Sequence, residues 1–156
     1  MFEYRLAREV HEAFSQHGVR YLFLGKSGAI LLGFPDTTQD ADLFPLKSPE
    51  NGKAIVAALR GLGFALTDEQ VAEVVRGKDF VQLKDGPFDM DLIFAPDGIE
   101  SFDDAWNRHV EVDGLPVCHL DDIIASKRAA GRTKDVESLP RLVAFREYWE
   151  RHLKNR

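Results

Sequence analysis

The stretch that decides the fold of this chain is YLFLGKSGAILLGFPDTTQDADLF, residues 21–44. It begins as an apolar strand, passes through a turn of small residues into a short helix, and ends in a second strand. Side chains two apart on a strand point to the same face, roughly 6.5–7 Å apart along it. Asp40 and Asp42 can therefore reach one divalent cation or two adjacent ones, and carboxylate oxygens are ligands that Mg²⁺ prefers.

The turn between Gly25 and Gly28 is a second functional signal. It presents free backbone N–H groups at the start of a helix, which is a favourable position for a phosphate group. Carboxylates that suit magnesium, next to a phosphate site, indicate chemistry on a nucleoside triphosphate.

The order of these features resembles the nucleotidyltransferase superfamily, and most closely its small bacterial members related to the AbiEii-type toxins. The family pattern is a strand, Gly-Gly or Gly-Ser, a helix, then Gly, Arg, Thr and Asp-x-Asp. A third carboxylate follows on a later strand, and a Lys…Arg…Lys-Asp signature lies on a late helix. The matching residues, within about residues 18–142, are Gly25, Gly33, Thr38, Asp40, Asp42, Asp91, Lys127 and Asp135.

The resemblance implies an α/β (α+β) fold, in which helices flank a central mixed sheet and a helical segment ends the chain. It assigns catalysis and the binding of Mg²⁺ or Mn²⁺ to Asp40, Asp42 and Asp91. Nucleotide binding is implied for residues of the glycine turn and the late helix, namely Gly25, Lys26, Ser27, Lys127 and Asp135. The reaction would move a nucleoside monophosphate from a triphosphate to a hydroxyl or phosphate of an RNA, protein or small molecule, as in toxin-type enzymes.

Two residues depart from the family pattern. Lys26 stands where relatives have a second glycine or a serine, and Asp36 stands where they have an arginine. One hypothesis is that Lys26 supplies the positive charge that Asp36 removes. The alternative is a catalytically inactive module that binds nucleotide or protein, within a toxin–antitoxin pair.

Hydrophobic spacing and turn residues predict a mixed succession of helices and strands. Helices are expected over 3–16, 27–32, 50–62, 102–108, 121–130 and from 134 on, and strands over 21–24, 41–44, 80–83, 90–94, 109–112 and 117–119. Residues 68–76 fit either a helix or a strand. Asp121 or Asp122 is expected to cap the helix that follows the second hairpin. We expect one domain over residues 1–156, with a core over about 18–120 and a helical part over about 121–156.

Composition limits the function further. The net charge of −6 argues against a protein that coats nucleic acid, although residues 127–156 carry nine basic and four acidic side chains. One cysteine excludes an internal disulfide and favours the cytoplasm. No apolar run approaches the ~20 residues that cross a bilayer, so a membrane partner is not expected. We expect a cognate partner protein, a homodimer or the basic C-terminal helix to recognise the acceptor.

The spacing of residues does not match the motifs of other functional classes. A P-loop ending at Gly25-Lys-Ser would need a glycine where Arg20 stands. A calcium loop starting at Asp40 would need a ligand where Phe44 stands, and the zinc-protease pattern starting at His11 would need a histidine where Ser15 stands. The chain also lacks the Gly-x-Ser-x-Gly elbow of a serine hydrolase.

Overall fold

The computed structural model describes residues 2–155, apart from the side chain of Lys134. Its elements follow in the order α1 (Tyr4–Gln16), β1 (Tyr21–Leu24), α2 (Gly25–Leu31), β2 (Asp40–Pro45), α3 (Pro49–Gly61), α4 (Asp68–Arg76), β3 (Phe80–Leu83), β4 (Asp89–Ile93), α5 (Phe102–Arg108), β5 (Val110–Val112), β6 (Leu115–Val117), α6 (Leu120–Ala130) and α7 (Thr133–His152). The predicted order of helices and strands is confirmed.

The ambiguous stretch 68–76 is the helix α4, and local capping explains why. The amide of Gln70 donates to the Thr67 hydroxyl at 3.1 Å, and the amide of Thr67 donates to the Gln70 side chain at 2.9 Å. This reciprocal capping box satisfies two backbone donors that a helix start would otherwise leave without partners. Gly77 ends the helix in the left-handed conformation, with a φ of 69°.

A six-stranded mixed sheet with the order β3-β4-β2-β1-β6-β5 forms the centre of the fold. β2 runs parallel to β4, and β1 runs parallel to β6, whereas the remaining neighbours are antiparallel. Both predicted hairpins, β3–β4 and β5–β6, are therefore present. The register of the parallel pair places Asp42 opposite Asp91, and Asp40 opposite Asp89.

The two faces of the sheet differ at β3 and β4. Along β3, Phe80 and Gln82 are exposed, whereas Val81 and Leu83 are buried in the core. The register carries this alternation across to β4, because Gln82 stands opposite Asp91 and Val81 opposite Leu92. One face is thus apolar and covered, and the other presents polar side chains at the edge of the sheet.

The start of α6 differs from the prediction that Asp121 or Asp122 caps this helix. His119 is the N-cap, and its ring nitrogen accepts a hydrogen bond from the Asp121 amide at 3.0 Å. The helix begins at Leu120, so both aspartates lie in its first turn, where the helix dipole favours negative charge. There Asp121 pairs with Arg146 and Asp122 pairs with Arg108 at 2.9 Å.

The final helix α7 follows Gly131, whose φ is 65°. Leu142 and Trp149 anchor α7 to the core, being 1% and 2% exposed. The Trp149 ring meets the ring of His119 edge-on, with centroids 5.1 Å apart, so α7 packs next to the start of α6. Among the described residues, none of the helices combines the length and apolar character that crossing a membrane requires.

Candidate active site

Three aspartates converge on the polar face of the sheet. Asp40 and Asp42 lie two residues apart on β2, and Asp91 stands directly across from Asp42 on β4. One carboxylate oxygen from each lies within 4.8 Å of the others. Such a set of hard oxygen ligands, supplied by two adjacent strands, fits a divalent cation such as Mg²⁺ or Mn²⁺.

The electrostatics of this cluster agree with that fit. Burial raises the pKa of Asp42 to about 8, and the negative charges of Asp91 and Asp40 act in the same direction. Burial and the charge of Asp40 also raise the pKa of Asp91. Carboxylates this close repel each other when ionised, and a bound cation would remove that repulsion.

Gly25 allows the start of α2 to approach the cluster. Its φ is 62°, and a Cβ built at this position would collide with the carboxylate of Asp42. A side chain is therefore excluded by backbone conformation and by the lack of space. The predicted turn is present, and Gly25 lines the same cleft as the three aspartates.

Ser27 is buried where α2 meets β2. Its hydroxyl is fully buried, donates to the carbonyl of Leu24 at 3.0 Å and accepts from the amide of Asp42 at 3.0 Å. Its side chain is absent from the lining of the cleft. The hydroxyl thus connects α2 to β2 at the backbone of Asp42, and the expected contact of Ser27 with nucleotide stays a prediction.

Lys127 reaches the cleft from α6 and is held there by a buried carboxylate. Its Nζ lies 3.3 Å from Asp135 Oδ1, and Arg132 Nε donates to Asp135 Oδ2 at 2.7 Å. Asp135 is fully buried and does not line the cleft, whereas both of its cationic partners do. Burial acts to raise the pKa of Asp135, but the bond from Arg132 and the charge of Lys127 outweigh it and lower the pKa.

Lys26 and Asp36, the two departures from the family pattern, form an ion pair. Lys26 Nζ lies 3.4 Å from Asp36 Oδ2, and Arg141 of α7 donates to the same oxygen at 3.3 Å. The amide of Thr37 donates to Asp36 Oδ1 at 2.7 Å and is the main cause of a lowered pKa at Asp36. Lys26 lines the cleft, so part of its charge is already neutralised at the site where a phosphate is expected.

The cleft itself has a volume of about 150 Å³. It brings together the three aspartates with the predicted Gly25, Lys26 and Lys127. Sequence reasoning did not assign Phe80 or Ile93 to the site, although both line it. The alternation of exposed and buried residues in β3 was the available signal for Phe80. It places Phe80 on the same face as Gln82, with 43% of the Phe80 surface exposed.

A second group of possible metal ligands lies between α6 and α7. His119, Asp121 and Glu150 also offer ligand atoms within 4.8 Å of one another. Arg146, however, donates to Asp121 and lies 3.7 Å from Glu150, so these carboxylates already have a cationic partner. This group is an ion-pair network at the helix interface.

Comparison with known proteins supplies the name of the fold. No protein-family model matches the chain, and no curated protein matches it. The chain is similar to a crystal structure from Thermotoga maritima that is described as a candidate nucleotidyltransferase, with a TM-score of 0.57 and 18% sequence identity. The alignment covers 90% of this chain and 92% of the other. At this level of identity the likeness establishes the fold, and the chain has the mixed α/β nucleotidyltransferase fold with a C-terminal helix.

Proposed function

We propose that this protein is a metal-dependent nucleotidyltransferase that moves a nucleoside monophosphate from a nucleoside triphosphate to a hydroxyl or phosphate of an acceptor. The observation that carries the proposal is the convergence of Asp40, Asp42 and Asp91 within 4.8 Å. The same cleft holds Gly25 and the cations of Lys26 and Lys127. Anionic ligands for a metal and cationic partners for a polyphosphate thus line one cavity.

The proposed roles follow from the positions of the side chains. Asp40, Asp42 and Asp91 would hold Mg²⁺ or Mn²⁺, which when bound neutralises the triphosphate and favours ionisation of the attacking hydroxyl. Lys127, oriented by Asp135, would bind the phosphates, and the absence of a side chain at Gly25 leaves room for them. Asp91 would accept the proton of the acceptor hydroxyl. Positioning and charge neutralisation supply most of the catalysis in such transfers.

The acceptor is proposed by class: an RNA, a protein or a small molecule. Toxin-type activity would fit an acceptor of the first two classes. A cognate partner protein or a second copy of the chain would then provide the recognition surface.

One observation favours a second function, that of a module that binds nucleotide or a partner protein without catalysis. The ion pair between Lys26 and Asp36 withdraws positive charge from the phosphate turn. If that pair persists when nucleotide is bound, the protein would bind triphosphate without aligning it for transfer, as in an inactive member of a toxin–antitoxin pair.

Thermal unfolding with each of the four nucleoside triphosphates, with and without Mg²⁺, tests both functions. A ligand that binds only the folded state stabilises it by ~2.7 kcal/mol at a hundred times its dissociation constant. We expect a Mg²⁺-dependent rise in melting temperature that disappears in Asp42→Ala and persists in Asp97→Ala, which removes an exposed carboxylate outside the lining of the cleft. Labelled nucleotide then distinguishes transfer from binding. The absence of any stabilisation in the wild type would refute nucleotide transfer and nucleotide binding, and would leave only the binding of a partner protein.

A further inference from the structure

Phe80 is an exposed aromatic side chain in the wall of the candidate active site. It opens the edge strand β3, and 43% of its surface is exposed. Its neighbour Val81 points to the opposite face and is buried. A phenylalanine at an exposed strand position contributes little to the core, so its solvent-facing ring is available to a ligand.

The strand order places Phe80 and Lys26 on opposite sides of the aspartates. Read across the sheet, β3 carries Phe80, β4 carries Asp91, β2 carries Asp42, and β1 leads into Gly25 and Lys26. Neighbouring strands are roughly 4.8 Å apart, so about 14 Å of sheet separates the backbones of β3 and β1. The reacting atoms at the aspartates lie between these two ends.

The register keeps Phe80 on the correct face for this arrangement. Phe80 pairs with Ile93, and Gln82 pairs with Asp91, so both β3 side chains share a face with Asp91. Phe80 and Ile93 line the same cleft as Lys127 and the aspartates. An apolar surface thus continues the cleft beyond the metal ligands, on the side away from Lys26.

A nucleotide whose phosphates face Lys26 and Lys127, and whose reacting phosphorus lies at the aspartates, would extend its nucleoside towards β3. The ring of Phe80 has no hydrogen-bonding group, so its contribution would be stacking, which every base can provide through its π-face. We infer that Phe80 is the stacking platform for the nucleobase of a nucleotide bound in this cleft, an inference that rests on the proposed function. Stacking of this kind would bind purines and pyrimidines with little discrimination.

The test compares ligands that share phosphates but differ in the base. Dissociation constants in Mg²⁺ are measured for a non-hydrolysable ATP analogue and for inorganic triphosphate, with the wild type, Phe80→Ala and Phe80→Trp. Loss of one base–aromatic stack corresponds to roughly tenfold or more in affinity. We expect Phe80→Ala to weaken the ATP analogue by that factor and leave inorganic triphosphate unchanged, and Phe80→Trp to retain tight binding of both.

Tyr148→Ala is the matched control, because Tyr148 is 54% exposed but is an aromatic residue of α7 outside the lining of the cleft. It should leave both ligands unaffected. Thermal unfolding without ligand verifies that each variant is folded, and Phe80→Trp keeps the inference testable should Phe80→Ala not fold.

The dissociation constant of a short single-stranded oligoribonucleotide shows whether Phe80 stacks on the base of the bound nucleotide or on a base of an RNA acceptor. If Phe80→Ala weakens the oligonucleotide and spares the ATP analogue, Phe80 stacks on a base of an RNA acceptor, and the inference for the bound nucleotide is overturned. Equal effects of Phe80→Ala on the ATP analogue and on inorganic triphosphate, with no effect on the oligonucleotide, would overturn the inference. Failure of the wild type to bind either the ATP analogue or inorganic triphosphate in Mg²⁺ would instead refute the proposed function.

Discussion

Gly25 and Asp42 lie so close together that a Cβ built on Gly25 would be 2.9 Å from the carboxylate carbon of Asp42. Two elements meet at this contact, because Gly25 begins α2 and Asp42 belongs to β2. The position of the Asp42 carboxylate, a candidate metal ligand, therefore depends on the absence of a side chain at Gly25.

Gly25→Ala is expected to displace the Asp42 carboxylate and reduce Mg²⁺-dependent nucleotide binding. Its φ of 62° adds ~1–2 kcal/mol of strain for any L side chain, apart from the collision. Gly18→Ala is the matched control, since Gly18 has a φ of 68° but nothing within 4 Å of its added Cβ. Both variants should lose stability by chemical denaturation. Equal retention of Mg²⁺-dependent binding by both would show that the close contact has no role in the site.

Asp42→Asn is expected to stabilise the metal-free protein while removing Mg²⁺ binding. The pKa of Asp42 is raised to about 8 in the folded state, so the folded state holds its proton more tightly than the unfolded chain does. The stability of the wild type should therefore fall as pH rises from the usual carboxyl value of 3.8 towards 8. Asp42→Asn lacks this ionisation, so at high pH and without metal its free energy of unfolding should exceed that of the wild type by ~1 kcal/mol. This difference corresponds to roughly 2–4 °C in melting temperature.

Thermal unfolding between pH 5 and 9, with and without Mg²⁺, measures this effect. Mg²⁺ should restore the stability of the wild type at high pH and leave Asp42→Asn unchanged. A parallel pH dependence of the two proteins would contradict the prediction.

Asp135→Asn is expected to lower stability and weaken triphosphate binding together. It leaves Lys127 and Arg132 without their buried partner, at a cost of ~1–3 kcal/mol. Because the pKa of Asp135 is lowered, its contribution is present above the usual value of 3.8 and is lost as pH falls through the lowered pKa. Denaturant titrations should thus show a gap between the two proteins at neutral pH that closes in acid. Glu147→Gln, which alters an exposed pair with Arg146, should show no such gap.

Asp36→Asn is expected to strengthen triphosphate binding by freeing Lys26. Exposed ion pairs are worth up to ~1 kcal/mol, so the gain should be roughly two- to fivefold in the dissociation constant. Lys26→Gly should weaken binding, and adding Lys26→Gly to Asp36→Asn should abolish the gain. If Lys26→Gly leaves nucleotide affinity unchanged, the hypothesis that Lys26 provides the charge missing at Asp36 is refuted.

The pattern of residues 21–44 was enough to predict β1, α2 and β2, because a short apolar run and a glycine turn are local properties. It also predicted the shared face of Asp40 and Asp42. Asp91 was placed by resemblance to a family, since nothing local specifies the register that sets it opposite Asp42.

Other features depended on tertiary structure that a single sequence does not reveal. The buried bonds of Ser27 arise only when β2 packs next to the start of α2. Phe80 belongs to the cleft because one face of β3 is left uncovered, and the alternation of the strand does not say which face that is. The capping of α6 by His119 was missed because aspartate is the stronger cap by general preference.

The position of β3 at the end of the sheet has a consequence for the size of the acceptor. In the described part of the chain, no strand pairs with β3 on its outer side, and Phe80 stands at that margin. Phe80 lines the cleft and is 43% exposed, so the cleft is open to solvent at this margin of the sheet. Under the proposed function, a folded protein or an RNA strand would reach the mouth of the cleft without entering an enclosed chamber, so the search for acceptors should begin with macromolecules.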